Sequence, residues 1–173
     1  SDDETVRVVV LTGRGKGFCS GGDVEDIIGA LFERDFRGLL EFTRMTCDLV
    51  KAIRSCRKPV IAALNGTVAG AGAAIATACD LRIAAESARI AYLFTRVGLS
   101  GADMGAAWML PRIVGLAKAT ELLMTGDFIT AREAHRIGLY NRVVPEGKSL
   151  EAANELAGRL SRGPSFALEI TKD

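Results

Sequence analysis

Residues 65–80, NGTVAGAGAAIATACD, decide the fold. They follow a short apolar run at 59–64 that is typical of a buried strand, and they lead into a series of small residues that favours a tightly packed helix. Gly66, Gly70 and Gly72 allow the backbone to turn sharply and let another group come close. The first N–H groups of a helix have no partner inside it, so this corner can receive a developing negative charge. Gly-rich turns can also serve only to pack a helix on a strand. A second feature of the sequence must therefore decide whether this corner binds a ligand.

A second Gly-rich loop lies near the N-terminus. The apolar run at 6–11 predicts another buried strand, and the sequence TGRGKGFCSGGDV follows it at 12–24. Two loops of small residues, each at the end of a buried strand, can bring two backbone N–H donors to one oxygen atom. This is the layout of an oxyanion hole, which stabilises negative charge on a reacting carbonyl oxygen.

Four successive stretches carry a family resemblance. They are FCSGGD at 18–23, the corner at 66–80, GLSGADMGAAWMLPRIVG at 98–115 and GDFITAREAHRIGLYNRVVP at 126–145. In this order they resemble the signatures of the crotonase superfamily, the enoyl-CoA hydratase and isomerase family, over nearly the whole chain. The resemblance implies an α/β fold with a crotonase-like ββα spiral core, parallel strands and surrounding helices. It also implies that the protein binds an acyl-CoA thioester.

The length of 173 residues and a hydrophobic content of 49% suit one domain, 1–173, with a substantial core. Compared with the family, this domain is expected to lack an N-terminal strand and the C-terminal helices that help to cover the ligand and join subunits. The resemblance implies a homotrimer or a dimer of trimers. It implies no cofactor, because coenzyme A is part of the substrate.

Composition argues against several other classes of protein. The formal net charge is only +1 and no basic run stands out, so nucleic acid is not an expected partner. No apolar stretch reaches the roughly 20 residues of a membrane span. A single His argues against a His-rich metal site. The four cysteines lack CxxC spacing, which predicts reduced thiols and a cytoplasmic location.

Periodicity predicts the remaining elements. An apolar stripe that includes Leu39, Phe42 and Leu49 indicates a helix from Gly38 that ends before Pro59 and connects two parallel strands. Further strands are predicted at 81–84, 89–94 and 140–144, and further helices at 116–125, 130–138 and 149–160. The helix at 130 opens with a Thr-x-x-Glu capping box. Residues 25–36 lack clean periodicity and are interpreted as a mobile segment near the acyl end of the ligand.

The resemblance also implies roles for individual residues. The two oxyanion donors of the family correspond to the backbone N–H groups of Gly22 and Ala71. Ser20, Asp23 and Val24, with Gly22 and Ala71, correspond to positions where the family's backbone contacts coenzyme A. From the residues alone, Gly22 could instead be a turn residue with positive φ.

The proton-transferring side chain is the least certain part of the site. Hydratases of the family carry two glutamates at positions that correspond here to Ala74 and Phe94, neither of which can exchange a proton. Asp103 lies where isomerase and dehalogenase members carry a functional Asp, so we expect it to transfer the proton in a double-bond isomerisation. Asp103 could also cap a helix that starts near Met104. A hydratase with another acid or base, and a non-catalytic acyl-CoA-binding homologue, remain alternatives.

Other polar and large side chains are interpreted as structural. Asp80 is expected to hydrogen-bond turn backbone, and His135 to lie on the surface or in the core instead of acting as a base. Trp108, Met104 and Met109 are expected in the core. A nucleotide-binding domain is a weaker interpretation, because neither loop has GxGxxG or GxxxxGK[ST] spacing.

Overall fold

A computed structural model describes residues 3–23, 29–31 and 33–172. The elements in chain order are β1 (Val9–Thr12), β2 (Gly17–Cys19), α1 (Phe36–Arg54), β3 (Val60–Leu64), β4 (Thr67–Ala69), α2 (Ala71–Ala78), β5 (Leu81–Ala85), β6 (Arg89–Ala91), two 3-10 helices (Leu93–Val97 and Asp103–Gly105), α3 (Ala106–Val114), α4 (Leu116–Thr125), β7 (Ile129–Thr130), α5 (Ala131–Arg136), β8 (Arg142–Val144), α6 (Ser149–Ser161) and α7 (Ser165–Lys172). None of the helices in these ranges is long and apolar enough to cross a membrane.

The strands form two four-stranded sheets, ordered β1-β3-β5-β8 and β2-β4-β6-β7. Every pairing is parallel except that of β6 with β7. Each of β1, β3 and β5 enters the first sheet, and the next strand along the chain then enters the second sheet. The chain therefore winds as a spiral in which strand pairs alternate with helical segments. This arrangement confirms the predicted crotonase-like α/β fold.

Strand β3 lies between β1 and β5, and all five of its side chains are buried. Its alternate residues face opposite sides of the sheet, as the pleat of a strand requires. Ala62 and Leu64 belong to the large hydrophobic core that also contains α2. Ile61 and Ala63 belong to a smaller cluster that includes Ala153 of α6. The first sheet is therefore covered on both faces, which fixes the position of the turn that follows β3.

Several element boundaries differ from the prediction. Helix α1 starts at Phe36, because the Asp35 side chain accepts a 2.8 Å hydrogen bond from the Gly38 N–H and caps it. The strand predicted at 89–94 stops at Ala91 and continues as a 3-10 helix. The predicted mobile segment 25–36 lies partly outside the described residues, which omit 24–28 and 32.

Two local predictions were only partly right. The Thr130 hydroxyl accepts a hydrogen bond from the Glu133 N–H at 3.2 Å, but the Glu133 carboxylate pairs with Arg136 instead of completing the capping box. Met104 and Met109 are buried as expected, whereas the predicted burial of Trp108 is wrong. The Trp108 side chain is 58% exposed, and the Arg112 guanidinium stacks 4.0 Å from its ring.

Candidate active site

Two glycine-containing loops meet where β2 and β4 end. A Cβ atom on Gly72 would lie only 2.2 Å from the Cys19 carbonyl oxygen, and one on Gly21 would lie 3.5 Å from the Ala71 nitrogen. Gly21 has a φ of +101° and Gly70 a φ of +52°, conformations that glycine adopts most readily. The two loops therefore touch backbone to backbone, and a side chain at Gly72 would keep them apart.

The backbone N–H groups at this contact divide into paired and unpaired donors. The Gly70 N–H donates to the Ala91 carbonyl at 3.0 Å, and the Ala73 N–H donates to the Gly70 carbonyl at 3.0 Å. The Gly22 and Ala71 N–H groups make no hydrogen bond with any group in the described part of the chain. Ala71 is the first residue of α2, so its N–H lies at the positive end of the helix dipole. The two predicted donors thus remain available for an external oxygen.

Gly22 and Ala71 both line a cavity of about 370 Å³, here called the central cavity. Helix α1 contributes Phe42, Met45 and Leu49 to its wall, and Ile75 comes from α2. The wall opposite the two loops is mostly apolar, which suits an acyl group better than a charged ligand. Ser20 also lines the cavity, so three of the predicted substrate-binding residues, Ser20, Gly22 and Ala71, line it.

Asp103 is the carboxylate that lines the central cavity among the described residues. Its side chain is half-buried, and its Oδ1 accepts a hydrogen bond from the Met104 N–H at 2.8 Å. The Asp103 N–H donates in turn to the Ser100 carbonyl at 3.0 Å. Met104 has a φ of +50°, which a residue with a side chain seldom adopts, so this turn is held in a strained conformation beside the cavity.

The structure contradicts the alternative that Asp103 caps a helix. Helix α3 begins at Ala106, and its N-cap residue, Gly105, makes no side-chain capping bond. The Asp103 carboxylate binds only the next residue's N–H, and its second oxygen has no partner among the described residues. The carboxylate is therefore held on one side while its other oxygen remains available.

Ala74 and Phe94, at the positions where hydratases of the family carry glutamate, are both buried among apolar residues. Ala74 is fully buried in α2, and the Phe94 side chain is 5% exposed and forms part of the cavity wall. Neither position therefore supplies a carboxylate to the central cavity.

The remaining predicted residues lie in different surroundings. Asp23 is exposed at the end of the first loop, and Val24 lies outside the described residues. His135 is exposed, its Nδ1 lies 2.8 Å from the Tyr140 carbonyl oxygen, and it does not line the central cavity. These positions agree with a structural interpretation of His135.

The predicted structural role of Asp80 is confirmed. Its Oδ2 accepts a hydrogen bond from the Val60 N–H at 2.8 Å and pairs with Lys172 at 2.9 Å. Its Oδ1 pairs with Arg54 at 3.1 Å. Asp80 therefore ties the end of α2 to the start of β3 and to two other helices, which fixes the helix whose other end carries Ala71.

A buried cation also holds the C-terminal end of α2. The Arg82 guanidinium donates to the carbonyls of Ala76 and Thr77, both at 3.2 Å, to that of Cys79, and to that of Leu139 at 2.7 Å. Burial lowers the pKa of Arg82 from its usual range, because it disfavours the charged form. These bonds satisfy carbonyls that the helix end leaves unpaired, so they fix the axis of α2.

Sequence reasoning missed the contribution of α1 to the cavity. The apolar stripe predicts the helix but not what its face borders, and Met45, which is 61% exposed, lines the central cavity with Thr46. The stripe itself was the available signal, because an apolar helix face can border a ligand as well as a core.

Comparison with known proteins shows the family. The family model described as enoyl-CoA hydratase/isomerase matches residues 1–173. The solved structure of a candidate enoyl-CoA hydratase from Streptomyces coelicolor A3(2) superposes with a TM-score of 0.94 at 58% identity, covering 96% of this chain and 61% of that one.

Two curated relatives carry names for different reactions. The 1,2-epoxyphenylacetyl-CoA isomerase of Escherichia coli (strain K12) is 36% identical over 180 residues, which is 98% of this chain and 64% of the relative. The crotonyl-CoA hydratase of Syntrophomonas wolfei is 35% identical over 175 residues, which is 99% of this chain and 65% of the relative. The chain spans about two thirds of the length of each of them.

Proposed function

Because the chain belongs to the enoyl-CoA hydratase/isomerase family, we propose that it binds an acyl-CoA thioester and stabilises its enolate with the N–H groups of Gly22 and Ala71. The observation that carries this proposal is the backbone contact between the two loops, where neither N–H group has a partner among the described residues and both residues line a mostly apolar cavity. A thioester oxygen held between these donors gains stabilisation as negative charge develops on it. One such donor typically contributes about 3 kcal/mol to the transition state.

The favoured reaction is the migration of a double bond. The Asp103 carboxylate takes a proton from one carbon of the acyl group, and the electrons of that C–H bond pass to the thioester oxygen as an enolate. The protonated Asp103 then returns the proton to the other end of the conjugated system, so the double bond moves and no other reactant is consumed. The second oxygen of Asp103, which has no partner in the part of the chain that the structure describes, supports this role.

Isomerisation is preferred to hydration because, among the described residues, Asp103 supplies the carboxylate of the cavity and no second one lines it. Ala74 and Phe94 supply no carboxylate, and the apolar wall around Phe94 disfavours a bound water molecule. The E. coli relative is named as an isomerase, while most of the relatives are named as hydratases. Hydration through another acid or base is therefore the second candidate, and those names favour it.

The substrate and the assembly belong to the same proposal. Ser20, Asp23 and Val24 would contact the coenzyme A portion of the substrate, and no separate cofactor is required. The complete protein would assemble as a homotrimer or a dimer of trimers. Sedimentation of the complete protein as a monomer at micromolar concentration would contradict the assembly.

The test of the reaction is Asp103→Asn. The amide oxygen of Asn can still accept the Met104 N–H, so the turn should keep its shape while the base is lost. With a panel of 2-enoyl, 3-enoyl and dienoyl-CoA thioesters, we expect the variant to bind substrate but to isomerise it about 10²- to 10⁴-fold more slowly. Asp127→Asn is the matched control, because Asp127 is exposed and pairs with Arg96 away from the cavity.

Three outcomes separate the candidate functions. Wild-type isomerase activity in Asp103→Asn would refute the assignment of the base. Hydration of the 2-enoyl thioesters by the wild-type protein, without double-bond migration, would favour a hydratase. Binding without turnover of any thioester would favour a non-catalytic acyl-CoA-binding protein.

A further inference from the structure

The side chain of Lys172, near the end of α7, extends into the protein and is only 6% exposed. The rest of α7 packs loosely: no residue of this helix is buried as a whole in the described part of the chain, and Phe166 and Ile170 are exposed. An ammonium group is seldom buried unless it is paired, because it loses its hydration. The partners of Lys172 therefore show what this helix contributes to the protein.

The Lys172 ammonium group has three acceptors. Its Nζ lies 2.9 Å from Asp80 Oδ2. It also donates to the carbonyls of Ile53 at 3.1 Å and of Lys58 at 3.2 Å. An ammonium group has three N–H bonds, so each bond can have an acceptor of its own. The acceptors lie in the last turn of α1, before β3 and after α2, so one side chain joins three segments that are far apart in sequence.

Two of these segments form the central cavity. Helix α1 supplies much of its apolar wall, and α2 begins with Ala71, one of the two proposed oxyanion donors. Helix α2 has only eight residues, six of them buried, so it is a tightly packed rod about 12 Å long. A displacement of α2 at Asp80 is therefore carried to Ala71 at its other end.

The second cation at Asp80 is a weaker constraint. Arg54 pairs with Asp80 Oδ1 at 3.1 Å, but its side chain is 39% exposed, so water screens this pair more than it screens the buried pair with Lys172. Arg54 also belongs to α1 itself. Lys172 is thus the buried cation that connects α7 with the ends of both helices.

We propose that Lys172 is a positioning residue for the Ala71 donor. By holding the end of α2 against the end of α1, it keeps the Ala71 N–H at a fixed place relative to the cavity wall. The inference rests on the proposed function, in which the Ala71 N–H stabilises the enolate oxygen. Lys172 is not among the described residues that line the central cavity, so it acts on the reaction without contacting the substrate.

Hydrogen–deuterium exchange of Lys172→Met tests whether α2 depends on this contact. Methionine is a helix former of similar quality, so α7 should persist while the three bonds are lost. The amides of α2 should lose protection by about tenfold or more relative to those of α4, which makes none of these bonds. A purely global loss of stability would lower protection in both helices equally.

Two control variants accompany Lys172→Met. Glu169→Gln weakens another attachment of α7, in which Arg57 Nη2 donates to Glu169 Oε2 at 3.0 Å, and this bond does not involve α2. Lys148→Met repeats the substitution at an exposed lysine that pairs with Glu151 at 2.6 Å. Neither control should change the protection of α2 relative to α4.

The thioester carbonyl reports the donors directly. Butanoyl-CoA labelled with ¹³C at this carbon should show a downfield NMR shift when it binds the wild-type protein, because the two N–H groups polarise the carbonyl. The shift should be smaller in Lys172→Met and unchanged in both controls. In Lys172→Met, kcat should fall by about tenfold or more with little change in KM, because the Ala71 N–H contributes mainly in the transition state.

A further variant covers the case in which Lys172→Met does not fold. Lys172→Arg keeps the positive charge, but the planar guanidinium cannot reach all three acceptors unless one of them moves. It should therefore fold and show a smaller loss of the same kind. Unchanged α2 protection and an unchanged carbonyl shift in Lys172→Arg would then overturn the inference.

The remaining outcomes separate this inference from the proposed function. Equal loss of protection in α2 and α4 of Lys172→Met, or the same α2-specific loss in Glu169→Gln, would overturn the role of Lys172. A normal carbonyl shift and a normal kcat in Lys172→Met would overturn it as well. An α2-specific loss of protection, in a protein whose wild type shows no carbonyl shift, would support the placement of α2 by Lys172 and contradict the proposed function.

Discussion

The backbone contact between Gly72 and Cys19 allows one substitution to test the whole site. In Gly72→Ala, the added Cβ would lie 2.2 Å from the Cys19 carbonyl oxygen and 2.9 Å from its carbonyl carbon. Ordinary van der Waals separations are about 3.5–4.0 Å, so the two loops must move apart by more than about 1 Å. Cys19 cannot easily move alone, because it ends β2 and pairs with Val68 of β4.

Two effects on stability oppose each other in this variant. Alanine in place of glycine favours a helix by about 1 kcal/mol, whereas overpacking costs typically about 1–3 kcal/mol. The net change in the free energy of unfolding should therefore be a loss of about 0–2 kcal/mol, and the protein should remain folded. The effect on catalysis should be larger, because misplacement by about 1 Å can cost roughly 10²-fold and loss of one oxyanion donor about 10²- to 10³-fold.

The assay compares Gly72→Ala with Gly17→Ala. A Cβ on Gly17 of β2 would lie 3.5 Å from the Thr67 carbonyl oxygen, which is an ordinary contact, so this control leaves the loops in place. We would measure kcat/KM with the best thioester and the melting temperature of both variants. A folded Gly72→Ala protein with wild-type kcat/KM would refute the idea that the contact positions the donors.

Two further predictions concern the buried surroundings of α2. The Thr77 hydroxyl lies 2.6 Å from the Tyr92 hydroxyl, so Thr77→Val should lower the free energy of unfolding by about 1–3 kcal/mol in urea titrations, and adding Tyr92→Phe should recover part of that loss. A double variant that is no more stable than Thr77→Val would contradict the reasoning. Burial raises the pKa of Cys79 to about 12, so the unfolded thiol ionises first and stability should fall as pH rises from 9.0 towards 12, with a smaller fall in Cys79→Ala. An unchanged pH profile in Cys79→Ala would show that this thiol is not responsible.

The parts of the fold that could be predicted are those that local sequence determines. The buried strand at 60–64, the Gly-rich turns and the small-residue helix at 71–78 could each be predicted, because each has its own residue pattern over a few positions. The exposure of Trp108 could not be predicted, because helical periodicity identifies an apolar face without identifying what covers it. The same limit hid the contribution of Met45 to the cavity.

The site likewise has a part that the sequence predicts and a part that it does not. The glycines of the two loops predicted a close backbone approach, and the structure shows it between Gly72 and Cys19. The orientation of Asp103 depends on the left-handed Met104, and a positive φ at methionine has no sequence signal. The catalytic role of Asp103 therefore stays a prediction, although the structure excludes helix capping.

The bonds of Arg82 also have a consequence for the order of folding. Arg82 is 5% exposed, and in the described part of the chain its guanidinium donates only to carbonyl groups, those of residues 76–80 around the end of α2 and that of Leu139. The Arg82 backbone N–H donates separately to the Asn141 side-chain oxygen at 2.8 Å. A partly folded chain with β5 in the sheet and the segment near Leu139 detached would leave part of this charge buried without its acceptors. Such intermediates are penalised, so α2 and a segment roughly sixty residues later form and open as one cooperative unit.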